Sequence, residues 1–373
     1  MFPCFPVDVR RLRRLRAVTG RVFLAIFPLL ARTASASDPE PAFAERSLHI
    51  LQAPLLGFSG ADVSSVPPER LELDFDEQYA NTFSRNSLAL TIHNHELRRT
   101  GLPWTREEAE AAHAAHPNEA IVFVDGELVR SMVRVRYGWT RELSIALEAG
   151  WISHDAISAD RSVEGFHRTF HLPSDGRPDF PRGRFVIAVQ SPGDKMHFSD
   201  RAPENGFSDT TMTLFWRPES ELLGWRVGAD VSAEAPTGSA NDFNGSGSWD
   251  FGARVVAARR KEAWSFGFEL GEVFPGLDAT PARLATSPYG RLALSIGHRM
   301  GDQWIAGASF TIEQSPFRRE NLGFASEDGV EIGLGVERAL GARSTLRLTL
   351  TENIMGVGDR ADVGVTLSLR VRP

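Results

Sequence analysis

Three pairs of histidines carry spacings on which metal sites are built. His167 and His171 stand four apart, which on a helical turn puts both imidazoles on one face; His93 and His95 are separated by one residue, and His113 and His116 by two. A zinc centre needs three or four ligands with a second layer of partners behind them, and each of these pairs is incomplete. Histidine is also common in polar loops, where it needs no metal. The expectation is therefore no metal and no cofactor. Ser153, His154 and Asp155 are the residue types of a hydrolytic triad, but they are consecutive. Neighbours on a strand point to opposite faces, so the run does not assemble a nucleophile with its base.

The elements that must position these residues are strands. In "LVRSMVRVRYGW" (128–139), Val129, Val133, Val135, Tyr137 and Trp139 share one parity, while Arg130, Arg134, Arg136 and Gly138 hold the other. After Thr140-Arg141-Glu142 the pattern resumes in "LSIALEAGW", with Glu148 on the polar parity, and upstream Leu71, Leu73 and Phe75 alternate with Glu72, Asp74 and Asp76. Similar runs continue to the carboxyl terminus and total about twelve strands. Such strands face different surroundings on their two sides, as in a sandwich or a barrel.

The amino terminus reads as an export signal over 1–36: arginines from Arg10 to Arg16, an apolar stretch from Val22 to Ala31, and the small-residue site Ala34-Ser35-Ala36. Without that stretch, which holds seven Arg and one Asp, 34 basic residues face 47 acidic ones and the net charge moves from -7 to -13. Export and acidity both argue against nucleic-acid binding. The single cysteine, Cys4, lies in the signal. No later apolar run reaches the roughly 20 residues of a spanning helix, so a membrane reading has to be a barrel.

The connections favour that reading. Compact turns near Thr140, Pro218, Arg260, Gly301 and Gly341 alternate with long stretches, the largest being 84–118 and 155–206. Barrels of the bacterial outer membrane have short periplasmic turns and long external loops. Trp139, Trp216, Trp225, Trp264 and Trp304 lie beside the short turns and Trp151 and Trp249 at the opposite ends, the levels that indole rings prefer in a bilayer. The sequence thus predicts a closed antiparallel transmembrane β-barrel spanning 69–373, preceded by a periplasmic or luminal segment, 37–68. Its polar parity turns charges into the lumen: Glu72, Asp74, Asp76, Arg130, Arg134, Arg136, Glu148, Arg226, Asp230, Asp250, Arg254, Glu269, Arg291 and Arg347. The mixed signs predict weak ion selectivity.

Within 49–68, "HILQAPLLGFSGADVSSVPP" is too apolar for a free tail, and Leu55, Leu56 and Phe58 are expected to pack inside the barrel as a plug. In the loop 84–118, Thr105 and Glu108 form a capping box ahead of an alanine-rich run, which predicts a short exposed helix. In the loop 155–206, Val163, Phe166 and Phe170 recur at helical spacing, so an amphipathic turn could lay its aromatic face over the barrel mouth as a lid, with His167 in it.

The runs "ELVRSMVRVRYGWTRELSIALEAGWISHD", "GFHRTFHLPSDGRPDFPRGRF" and "GFSDTTMTLFWR" resemble the DUF3187 family of bacterial proteins, regarded as outer-membrane barrels of unassigned function. The resemblance covers roughly 48–373, and its middle block rests on Phe166-His167, Phe170 and Leu172-Pro173. It implies architecture and location, and supplies no catalytic residue. "EAPTG" (234–238) is also similar to barrels linked with the degradation of phenolic and other hydrophobic compounds. The carboxyl-terminal "SLRVRP" lacks the aromatic last residue usual in such barrels.

The leading functional expectation is a non-enzymatic narrow channel or transporter for small or hydrophobic compounds, in contact with outer-membrane lipid. The alternatives are a structural or surface-interaction barrel that uses its external loops, and a lipid hydrolase centred on His154.

Overall fold

The structure, a computed structural model, describes residues 43–372 except 61, 87–103, 155–158, 173–175, 195, 277–283 and 356–360. The expected export signal, His93, His95 and Asp155 lie outside the described residues. In chain order the elements are β1 (Leu71–Arg85), α1 (Arg106–Ala115), β2 (Ile121–Gly138), β3 (Leu143–Ser153), α2 (Asp160–Phe170), β4 (Val186–Gln190), β5 (His197–Ser199), β6 (Gly206–Phe207), β7 (Thr210–Trp216) and β8 (Arg226–Ala235). They continue with β9 (Asp250–Lys261), β10 (Trp264–Phe274), β11 (Tyr289–Met300), β12 (Trp304–Glu313), β13 (Gly329–Ala339), β14 (Ser344–Met355) and β15 (Val363–Val371).

Twelve of these strands close an antiparallel barrel in the order β1-β2-β3-β7-β8-β9-β10-β11-β12-β13-β14-β15. The ring shuts where β1 pairs with β15, from Leu73 opposite Val371 to Asn81 opposite Val363. Closure leaves no unpaired strand edge in the ring, which is what a sheet needs to sit in lipid. The alternation then sorts side chains by solvent. Val133, Val135, Leu147, Val231, Val255, Leu270, Leu294, Leu334 and Leu348 are exposed on the outer wall, whereas a soluble sheet would bury such residues. Trp139, Trp216, Trp264 and Trp304 are exposed at the short-turn end, and Trp151 and Trp249 at the other. The turn between β11 and β12 takes Gly301 at φ +71°, a backbone state that glycine adopts without strain.

The two long stretches differ from the expected loops. β1 runs on to Arg85 and β2 already starts at Ile121, so both strands continue past the barrel and pair there, with Arg85 opposite Phe123. β4 joins β2 and β5 joins β4, which makes a small sheet above the barrel mouth. Its core is aromatic: Trp104 stacks on Phe123 at 5.7 Å, and Phe123 lies 4.9 Å from Phe180 and 5.9 Å from Phe83. Burying one such side chain contributes roughly 1.5–3 kcal/mol, enough to order a loop into a cap. The helix at the Thr105 capping box is present, but its Ala109 and Ala112 face is buried in the cap instead of being free at the surface.

Candidate functional site

The barrel wall turns a network of charges inward, and cross-strand register explains it. Oppositely charged residues stand directly opposite one another in Glu72 and Arg136, Asp74 and Arg134, Asp74 and Arg370, Arg134 and Glu148, Asp230 and Arg254, Arg291 and Glu313, and Glu337 and Arg347. Each such pair is stabilising where like charges would repel. One chain of contacts crosses six strand positions: Arg217 to Asp230 (2.5 Å), Asp230 to Arg254 (2.6 Å), Arg254 to Glu269 (3.2 Å), Glu269 to Arg291 (3.0 Å) and Arg291 to Glu313 (3.0 Å). Between β2 and β3, Arg134 holds Glu148 and Arg130 approaches Glu148 at 3.8 Å.

Of the residues expected in the lumen, Glu72, Asp74, Arg130, Arg136, Asp230, Asp250, Arg254, Glu269 and Arg291 are buried. Asp76, Arg134 and Arg347 line a central cavity, and Arg347 pairs with Glu337 at 2.6 Å. Arg226 departs from the expectation: it has the inward parity but is exposed, because it is the first residue of β8 and sits at the barrel rim.

Inside the ring lies residue stretch 43–66. It rises with Phe43 against Gly307, Gly333 and Gly335, turns at 50–55, and descends past Phe58 to Asp62 and Val66. The two limbs meet through Gly60 N donating to Ala44 O (2.7 Å), and Arg46 ties the turn by donating to Ala53 O (3.0 Å) and Leu55 O (2.5 Å). Leu48, Ile50, Leu51, Leu55, Leu56 and Phe58 form an apolar cluster with Phe317, Leu322 and Tyr289 in the upper lumen. Lower down the wall holds the main chain: Arg291 donates to Glu45 O (2.8 Å), Ser309 to Phe43 O (2.9 Å), Arg254 to Ser59 O (3.4 Å) and Arg217 to Asp62 O (2.9 Å). The cavity left beside this segment is about 50 Å³, lined by Asp62, Asp76, Arg134 and Arg370 among others, which has room for a few waters and no larger solute.

Above the mouth, α2 spans Asp160–Phe170, but the aromatic lid face is not the one it presents to the barrel. Phe170 is 64% exposed and packs on Phe166 at 4.9 Å, while Asp160, Val163, Glu164 and His167 are buried. The inward face is polar because partners await it. Arg177 reaches Asp160 (2.5 Å) and Asp125 (3.2 Å), Asn81 donates to Asp160 (3.0 Å), Arg182 pairs with Glu164, and His167 Nε2 stands 3.2 Å from Glu352 on β14. His171 ends the helix in the left-handed region, at φ 59°.

His154 is 1% exposed, and its Nε2 lies 3.1 Å from Asn244 Oδ1. That places the imidazole inside the structure, away from the lipid-facing wall where a lipid hydrolase would need it. Asp209, in the same region, accepts hydrogen bonds from Gly238 N and Ser246 N at 2.7 Å each; burial pushes its carboxyl up from the usual range, and these donors pull it partly back. "EAPTG" thus serves a packed loop, with Gly238 set where a Cβ would meet Asn244 O and Phe207 O at 2.7 Å. Among the described residues, no group of three or more His, Cys, Asp or Glu is placed to hold a metal ion.

Sequence reading missed Asp62, Arg217 and Arg177. Arg217 continues the inward parity of Thr211 and Phe215, a signal that was there to use. Asp62 stood alone in an apolar stretch, which is itself a signal. Arg177 gave none, because its two carboxylates come from distant β2 and α2.

The family described as "Protein of unknown function (DUF3187)" matches residues 20–372. No curated protein matches the sequence. Similar solved structures include the KdgM porin (6% identity, TM-score 0.38, covering 80% of this chain and 98% of that one). The NanC porin is 8% identical with a TM-score of 0.41, over 81% of this chain and 100% of its own. A TodX deltaS2S3 mutant, a monoaromatic hydrocarbon channel, is 7% identical with a TM-score of 0.37, over 88% and 99%.

Proposed function

Because the chain belongs to the DUF3187 family, whose description assigns no activity, its function has to be read from its own lumen, and we propose an outer-membrane channel held shut by its luminal segment. In this reading the barrel sits in the bacterial outer membrane, surrounded by lipid, and passes small or hydrophobic compounds when residues 43–66 move. The expected export signal, the apolar outer wall and the tryptophans at both strand ends support that location.

One observation carries the proposal. The wall guanidiniums that hold the segment's main chain also keep carboxylate partners on the wall itself: Arg254 has Asp230 and Glu269, and Arg291 has Glu269 and Glu313. A buried charge stripped of its partner costs several kcal/mol, but these charges stay paired when the segment leaves. Along this part of the ring the wall therefore keeps its charges paired with or without the plug.

The test uses Phe43→Cys with Gly335→Cys, since a Cβ on Gly335 would lie 2.3 Å from Phe43 Cδ1 and the chain's sole cysteine, Cys4, falls in the expected signal. In planar bilayers the oxidised pair should conduct poorly and reduction should restore the current. Deleting residues 48–66 should raise single-channel conductance outright. Conductance unchanged in both would overturn the plug. A surface-interaction role for the cap is favoured by its separate aromatic core, and liposome swelling by the deletion variant separates the two readings.

A further inference from the structure

The lower lumen contains one place where the wall is not balanced without the segment. Asp62 accepts from Arg370 (2.8 Å) and Arg136 (3.3 Å), and Arg217 donates to its main-chain oxygen (2.9 Å). Arg136 donates also to Ser64 O (2.5 Å). Arg136 and Arg217 lie over the ring of Phe215, at 5.1 and 5.3 Å. The wall carboxylates nearby are Glu72, which meets Arg136 (3.5 Å) and Arg372 (2.5 Å), and Asp74, which meets Arg370 (2.7 Å). Arg217 has Asp230 on the wall (2.5 Å) and Arg134, 3.9 Å from Asp74, has Glu148, so among the described residues of this group Arg136, Arg370 and Arg372 are matched by Glu72, Asp74 and Asp62, and withdrawal of Asp62 leaves one positive charge over.

We infer that the guanidiniums of Arg136 and Arg370 beside Phe215 form a carboxylate-binding site, filled by Asp62 in the closed barrel and by the carboxylate of a permeating aromatic or apolar acid in the open one. Three features fit that class of ligand. Two guanidiniums converge on one carboxylate, the geometry by which arginine recognises this group. The apolar cluster of Phe317, Leu322 and Tyr289 higher in the lumen, which the segment covers in the closed barrel, provides a surface for the body of the acid. The adjoining cavity of about 50 Å³, lined by Arg136, Arg370, Phe215, Ser59 and Gly60, opens onto the space the segment itself vacates. The site rests on the reading of 43–66 as movable for its role in transport, but not for its affinity.

Binding is tested in the full-length chain by chemical rescue. Asp62→Ala should lower the temperature at which the barrel loses its heat-modifiable gel mobility, and sodium formate, which fits the space of the missing carboxylate, should restore it saturably where sodium chloride at equal ionic strength does not. The rescue should vanish in Asp62→Ala with Arg136→Gln. Asp62→Asn, which keeps the shape and removes the charge, guards against a variant that fails to fold. No rescue by formate in Asp62→Ala, or full stability in Asp62→Asn, overturns the site. Permeation is tested separately with the 48–66 deletion, where an anion preference on the order of threefold is expected from an arginine-lined constriction. Raised conductance without that preference denies the site a part in selectivity, while unchanged conductance with intact formate rescue defeats only the plug.

Discussion

Two pieces of chain close the same lumen, and they are fastened in opposite ways. The cap above the mouth satisfies its charges largely within itself: Asp160 takes Arg177, Asn81 and Gly183 N, and the aromatic core of Phe83, Trp104, Phe123 and Phe180 lies beneath α1 and the small sheet. The luminal segment instead offers main-chain carbonyls to Arg291 and Arg254, which have carboxylate partners of their own, and one carboxylate, Asp62, to Arg370 and Arg136. A self-satisfied unit resists piecemeal loss, because removing one member strands the others in a low-dielectric interior. A segment held by shared donors strands no charge at Arg254 or Arg291 when those hydrogen bonds, each about 0.5–1.5 kcal/mol net, are lost, and its larger tie is the burial of its apolar side chains. The cap is thus tied by its own charges and the segment by the wall.

The largest expected effect breaks the cap. Arg177→Ala strands Asp125 and Asp160, which face one guanidinium at 3.2 and 2.5 Å, and removing one partner of a buried pair costs about 3–5 kcal/mol. Hydrogen exchange should show β4, β5 and α2 losing protection together, while the heat-modifiable mobility of the barrel holds. If the barrel unfolds with the cap, the two are one unit and the contrast fails.

A smaller effect is expected where the segment leaves the barrel. A Cβ on Gly138 would lie 2.1 Å from Pro67 O and 2.5 Å from Val66 O, both main-chain atoms that cannot swing aside. Gly138→Ala should displace the exit at a cost of about 1–3 kcal/mol. Its readout is a raised baseline conductance with the cap's exchange protection unchanged. Loss of cap protection would show that strain at the lower end reaches the top.

The barrel was legible because its signal repeats: each strand states the same alternation, and short and long connections alternate with it. Inward charges such as Asp230, Arg254 and Glu269 followed from parity alone. The cap was not legible. Phe83, Ile121 and Phe123 continue β1 and β2 beyond the lipid, where both faces of the sheet are covered and the alternation stops, so the run reads as loop. The face of α2 was misjudged for a related reason. Helical spacing finds an apolar stripe, but an acidic face is buried here because Arg177 and Arg182, which follow the helix in the chain and fold back on it, supply the counter-charge.

The smallest effects test that face directly. His167 joins α2 to the barrel through Glu352 at 3.2 Å, with side chains 8% and 12% exposed, so His167→Ala removes a charge-linked contact worth about 1–2 kcal/mol. Phe170 touches mainly Phe166 and is 64% exposed; Phe170→Ala belongs with surface changes of about 0.5 kcal/mol or less. Exchange protection across 160–170 should fall in the first variant and hold in the second. The order matters more than either value, because a polar face docked through Asp160 and Glu164 on arginines and through His167 on Glu352 keeps α2 in place whether the surroundings are water or lipid headgroups. Were Phe170→Ala the more damaging, the aromatic pair would be the anchor, and the cap would be held by an apolar contact that a hydrophobic permeant could itself displace.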